Sequence, residues 1–112
     1  MALPNVDRAV IDPAKLRDYL LSTTHPVGRF KAALFLSLGY EPLAWQRLEA
    51  DLRAQHLVHP ARELEASAYG RKFAIRARLV GPSGRSAEFT SIWIVLVAED
   101  FPRFVTAYPG AS

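Results

Sequence analysis

The chain has 112 residues, half of them hydrophobic, and 14 basic side chains against 11 acidic ones give a net charge of +3. One globular domain over 1–112, with a core over about 9–109, fits that length and a mean hydropathy near zero, and needs no metal or disulfide to hold it. Cysteine is absent, which excludes a disulfide framework, a thiol redox centre and a thiolate metal site.

No apolar run approaches the ~18 residues of a membrane span, and the N-terminus lacks a signal-peptide h-region, so a soluble, cytoplasmic chain is expected. The basic excess is mostly arginine and the pI is near 9.6. That balance is compatible with a polyanion partner and equally with an ordinary solubilising surface.

In chain order, residues 1–8 read as an arm, and Val10-Ile11 as a short strand or a core contact. Asp12-Pro13 is a helix start, with Asp as N-cap and Pro in the first turn. Leu16, Tyr19 and Leu20 form its apolar stripe, and the helix is expected to run to Ser22. A second, central helix is expected from Pro26 to the Gly39 stop, with Phe30, Leu34 and Leu38 at i, i+4, i+8.

That helix carries the most informative oddity of the sequence. At ~100° per residue, Lys31 falls about 20° from Leu38 and about 40° from Phe35. A lysine is therefore set inside, or at the edge of, the apolar arc, and its ammonium is expected in a cleft between helix and sheet. A third helix opens at Pro42 and runs through about Arg53, with Trp45, Leu48 and Leu52 on one face. Residues 54–68 read as a loop with two solvated histidines, His56 and His59, and a short strand near its end.

From Tyr69 the period becomes strand-like. Phe73, Ile75, Ala77 and Leu79 alternate with Lys72, Ala74, Arg76 and Arg78, giving one buried and one basic face. Gly81-Pro82-Ser83-Gly84 is a hairpin turn. The returning strand should run from about Arg85 to Val97, with Ile92–Val97 buried on both faces. The last strand, Arg103–Tyr108, would place Arg103, Val105 and Ala107 on one face and Phe104, Thr106 and Tyr108 on the other. Trp45 and Trp93 are expected to be structural. The order predicts an α+β fold, with N-terminal helices packed on one face of a three- or four-stranded antiparallel sheet.

No Gly-rich phosphate loop, closed metal-ligand set or nucleophile elbow is present. What remains is a metal-free set of His, Lys, Arg, Thr and Tyr, with no cofactor. Such groups can cleave RNA: an acid and a base move the protons, and cations stabilise charge on the phosphoryl oxygens. Each has an ordinary reading too. His25 could cap a helix, Lys31 could snorkel to solvent, and Arg76, Arg78, Thr106 and Tyr108 could be plain strand residues.

Several segments together resemble a family of uncharacterised bacterial domains, over roughly residues 9–109. They are Asp-Pro-Ala-Lys-Leu-Arg-Asp-Tyr-Leu-Leu at 12–21, His-Pro-Val-Gly-Arg-Phe-Lys at 25–31 and Leu-Gly-Tyr at 38–40. Tyr-Gly-Arg-Lys-Phe at 69–73, Gly-Pro-Ser-Gly-Arg at 81–85, Trp93 and Thr-Ala-Tyr-Pro at 106–109 continue the pattern. Members occur alone or at the C-termini of larger secreted proteins. More loosely, the helix-helix-sheet order and the His/Lys…Thr-x-Tyr pattern are similar to the barnase–EndoU–colicin–RelE superfamily of toxin ribonucleases.

That resemblance implies a toxin-type, metal-independent endoribonuclease. Its catalytic surface would hold His25, Lys31, Arg76, Thr106 and Tyr108, with Lys72, Arg78 and Arg103 binding RNA. A small acidic antitoxin or immunity protein would neutralise it. The chain lacks a clear His or Glu on its strands, Glu88 lying near the turn, so the second acid/base group has no assignment. A non-catalytic interaction module, immunity- or antitoxin-like or a small structural protein, is the alternative from another class.

Overall fold

The computed structural model describes residues 1–110, apart from the side chain of Phe30. Alternating β-prone residues build an antiparallel sheet of four strands in the order β1 (Arg62–Glu63), β2 (Gly70–Val80), β3 (Ser86–Leu96), β4 (Pro102–Pro109). On the face that meets the helices, Phe73 pairs with Trp93, Ile75 with Ser91 and Ala77 with Phe89. Their neighbours Lys72, Arg76 and Arg78 fall on the opposite face, as the alternation predicts. The fold is α+β, with the helices preceding the meander.

Three helices cover the inner face. α1 (Pro13–Lys15) starts at Asp12, whose Oδ1 accepts from the Ala14 N–H at 3.0 Å, and widens into a π-type turn over Leu16–Leu20. It ends two residues before the expected Ser22. α2 spans Arg29–Ser37, so Pro26 lies in the turn before the helix rather than in its first turn. α3 (Trp45–Gln55) follows a 3-10 turn at Pro42–Ala44 and runs two residues beyond Arg53.

The buried row of α2 is Ala32, Phe35 and Leu38, with Leu34 only partly buried. The place of Phe30 in the stripe lies outside the described residues. Phe35 stacks on Phe89 of β3 with ring centroids 4.6 Å apart. Trp93 and Phe104 meet edge-on at 5.2 Å beneath Leu16, Leu20, Leu48 and Leu52. Trp93 is wholly buried, and Trp45 packs partly buried at the core's margin.

The hairpin turn fixes α2 against the sheet. Ser83 donates its backbone N–H to the Leu38 carbonyl at 2.9 Å. Gly39 ends the helix at φ +99°, where a Cβ would also stand 2.6 Å from the Ser83 nitrogen. Glycine is needed there on both counts.

Three expectations are corrected. His56 is not solvated: it is fully buried at the end of α3, because the chain carries it inward beneath β3. The run Ile92–Val97 is not buried on both faces. Ile94 and Leu96 are only partly covered and Val97 is 79% exposed, because no second layer lies over the outer face and β3 ends at Leu96.

β4 does not keep simple alternation. Trp93 pairs with Phe104 but Ile92 with Thr106, so Val105 is an extra residue in a bulge. Phe104 therefore joins Ala107 on the inner face, and Arg103 and Tyr108 fall on the other. Thr106, beside the bulge, turns its hydroxyl to Tyr19 and Lys31 of the helical layer. Of the two readings of Val10-Ile11, the core contact holds: Ile11 is buried in the core, and Val10 makes an isolated parallel bridge to Arg103.

Candidate active site at the outermost strand

Lys31 sits one turn before Phe35 on the row that leads to Leu38, so packing aims its stem toward the protein interior. The ammonium donates to the Tyr19 hydroxyl at 2.8 Å and to Thr106 Oγ1 at 2.9 Å. Those two hydroxyls lie 3.3 Å apart. Tyr19 comes from the π-type turn, Lys31 from α2 and Thr106 from β4, one of the two edge strands. The bulge at Val105 sets the register that puts the Thr106 hydroxyl there.

A glycine allows the close approach. A Cβ on Gly28 would stand 2.0 Å from the Tyr19 carbonyl oxygen, so only glycine lets the chain enter α2 against the π-type turn. His25 shapes the same entry. Its Nδ1 accepts the backbone N–H groups of Val27 and Gly28, both at 3.0 Å. With that lone pair occupied, the neutral ring carries its proton on Nε2 and presents a donor. The ring meets Tyr19 edge-on at 5.0 Å. A cleft of about 530 Å³ opens beside it, lined by Ser22, Thr23, Thr24 and His25 among others.

The electrostatics set Lys31 apart. Seven arginines pair with carboxylates: Arg8 with Asp100, Arg17 with Asp18, Arg47 with Asp51, Arg53 with Glu49, Arg71 with Glu63, Arg76 with Glu88 and Arg103 with Glu99. Lys31 is partly buried and its side-chain partners are two neutral hydroxyls, with its Nζ 5.1 Å from the Tyr19 ring centroid. Neutral partners solvate an ammonium without cancelling its charge, so the site holds a net positive potential. Burial raises the Tyr19 phenol, but hydrogen bonds from Lys31 and Thr106 and the charges of Lys31 and Lys15 outweigh it. The net shift is below the usual phenol range.

The structure thus brings His25, Lys31 and Thr106 to one place. The other sequence-selected residues stay apart from it. Arg76 is exposed and bonded to Glu88, Arg78 donates to Ser86 Oγ at 2.9 Å, and Arg103 forks onto Glu99 at 2.7 and 2.8 Å. Lys72 and Tyr108 lie on the outer face, opposite Ile94 and Thr90. Tyr108 is two residues along β4 from Thr106 and flanks the cluster without a hydrogen bond to it.

Tyr19 is the member sequence reasoning missed, because its i+3 spacing from Leu16 reads as core. Among the described residues no three His, Asp or Glu side chains gather as a metal set, and no helix is long and apolar enough to cross a membrane.

The fold and this edge cluster define a small α+β domain with a cationic, hydroxyl-lined site. The chain belongs to the family described as Domain of unknown function (DUF6883), which matches residues 2–111. No match is found among curated proteins. Among solved structures, one chain of a contact-dependent growth inhibition toxin–immunity protein complex from Klebsiella pneumoniae 342 has a similar fold. The TM-score is 0.59 at 22% identity, covering 90% of this chain and 99% of that one.

Proposed function

We propose that the chain is a toxin-type endoribonuclease that works without a metal, its catalytic groups being Lys31, Thr106, His25 and Tyr19. The observation that carries this reading is the Lys31 ammonium, held by two hydroxyls and no carboxylate at a partly buried site. A cation so placed is built to meet an anion, and a phosphodiester develops extra negative charge as its own 2′-oxygen attacks phosphorus. Two N–H bonds of Lys31 go to Tyr19 and Thr106, which leaves a third for a phosphoryl oxygen.

His25 Nε2–H supplies a second donor in this reading, rather than a base. Tyr108 flanks the site. Lys72 and Arg78 provide the wider electrostatic track for the strand, and Arg76 and Arg103 join it on exchanging Glu88 and Glu99 for phosphate. The neighbouring fold is that of a chain from a toxin–immunity complex, which fits a protein that needs a neutralising partner, and the net charge of +3 would suit an acidic one. Action on RNA would take place in the cytoplasm of the affected cell.

The same complex contains an immunity protein, and that favours one second reading: a non-catalytic, immunity-like module. Expression in a bacterial host separates the two. The ribonuclease arrests growth, the product of the adjacent open reading frame relieves the arrest, and Lys31→Ala accumulates freely. Free accumulation of the wild-type chain, with no RNA cut by the purified protein, leaves the module.

A further inference from the structure

A ribonuclease of this type needs a group to protonate the departing 5′-oxygen, and neither strand carboxylates nor a free imidazole stand in the cluster. His25 is badly suited: its Nδ1 is committed to two backbone N–H groups, and a neutral Nε2–H is a very weak acid. The remaining O–H groups are Tyr19 and Thr106. A phenol, with an ordinary pKa of ~10, is far more acidic than an alcohol. The Tyr19 hydroxyl also already accepts a hydrogen bond from Lys31 Nζ at 2.8 Å, which is where a developing phenolate would need it.

We propose that Tyr19 is the general acid, its hydroxyl delivering a proton to the 5′-oxygen as that oxygen leaves phosphorus. This rests on the ribonuclease reading and deepens it. The step balances without a redox partner. The 2′-oxygen bonds to phosphorus while its proton passes to water. The bond from phosphorus to the 5′-oxygen breaks, and the Tyr19 proton moves onto that oxygen. The phenolate, hydrogen-bonded to Lys31, then regains a proton from water.

The products are a 2′,3′-cyclic phosphate and a 5′-hydroxyl. The titratable groups facing the phenol are Lys31 from α2, Lys15 from its own segment and His25 from the preceding turn. The Lys31 and Lys15 ammoniums are themselves acids of strength similar to a phenol, and Tyr19→Phe leaves both in place, so its loss reports the phenol alone.

The test uses an RNA oligonucleotide spanning a position that the wild-type protein cuts, and the same oligonucleotide with sulfur replacing the bridging 5′-oxygen. A thiolate leaves without being protonated. Tyr19→Phe keeps the ring that packs on His25 and removes only the hydroxyl. The expected loss is on the order of 10²–10³-fold on the oxygen substrate, with near wild-type cleavage of the sulfur one.

Equal losses on both substrates make Tyr19 a positioning residue and overturn the proposal, as does an unchanged rate on oxygen. The wild-type protein gives an independent reading should the variant unfold. With rising pH its rate on oxygen levels off as the phenol ionises, while its rate on sulfur keeps rising. Parallel profiles overturn the assignment, since no acid then assists the departing oxygen. A folded wild-type protein that cuts no RNA overturns the ribonuclease reading itself.

Discussion

Two histidines show how far one residue type can diverge within one chain. His25 lines a cleft and is partly exposed, with Nδ1 accepting two backbone N–H groups. His56 is sealed in the core, with Nδ1 2.8 Å from Ser91 Oγ, which also accepts the Trp93 indole N–H at 2.9 Å. Its Nε2 is buried without a partner. Burial, joined by the like charge of nearby His59, pushes His56 down to about 4.

The lesson is that a titratable ring serves stability where packing has closed around it, and chemistry where charge and solvent still reach it. The edge cluster should therefore govern cleavage with little effect on folding, and the His56 network the reverse.

The largest expected effect lies at the edge. Lys31→Ala should lower single-turnover RNA cleavage by on the order of 10²–10⁴-fold, with an unfolding midpoint close to that of the wild type. A comparable loss of stability would place Lys31 with the core and erase the contrast.

His56→Ala should do the opposite. Removing a fully buried ring leaves a cavity and takes a partner from Ser91, at a cost of about 2–4 kcal/mol in urea unfolding. Its cleavage rate, measured where the variant is folded, should match the wild type. A His56→Ala variant as stable as the parent would contradict the burial argument.

pH sharpens the same point. His56 is neutral when folded down to about 4, but takes a proton in the unfolded chain near its ordinary 6.5. The unfolded state therefore binds more protons between those values. The stabilisation is fully present above pH 6.5 and is lost as pH falls toward 4, by on the order of 3 kcal/mol in all. Urea unfolding across that window should show the slope, and His56→Ala should make it shallower, leaving the part that comes from ion-paired carboxylates such as Glu63 and Glu99.

Gly28→Ala probes the edge through the backbone. The added methyl cannot fit 2.0 Å from the Tyr19 carbonyl oxygen, so α2 and the π-type turn must part. Misplacement by ~1 Å can cost roughly 10²-fold in rate, and cleavage should fall more than stability does. Thr106→Val is the mildest change. It keeps the strand shape and removes one of the two hydroxyls around Lys31, and about a tenfold loss is expected.

Much of this was legible in the sequence, for identifiable reasons. The strands were plain because Phe73, Ile75, Ala77 and Leu79 alternate with charge, and Lys31 stood out because its helical angle is wrong for a surface lysine. Periodicity could not reveal the bulge, since one extra residue at Val105 breaks the alternation that would have to report it. Tyr19 was hidden because the same ring packs its body inward and carries a polar tip. His56 lay in a stretch without a period, where only the folded chain shows which way α3 ends. The capping of the turn by His25 is a local contact that sequence leaves level with an acid–base role.

The central claim, an RNA-cleaving site around Lys31, is tested most directly by the ends of the product. Purified wild-type protein and RNA are incubated in excess chelator, and the cut ends are identified by mass spectrometry. The account predicts cleavage that leaves a 2′,3′-cyclic phosphate and a 5′-hydroxyl, and that Lys31→Ala nearly abolishes. Intact RNA with folded wild-type protein, 5′-phosphate ends, or equal cleavage by Lys31→Ala would contradict it.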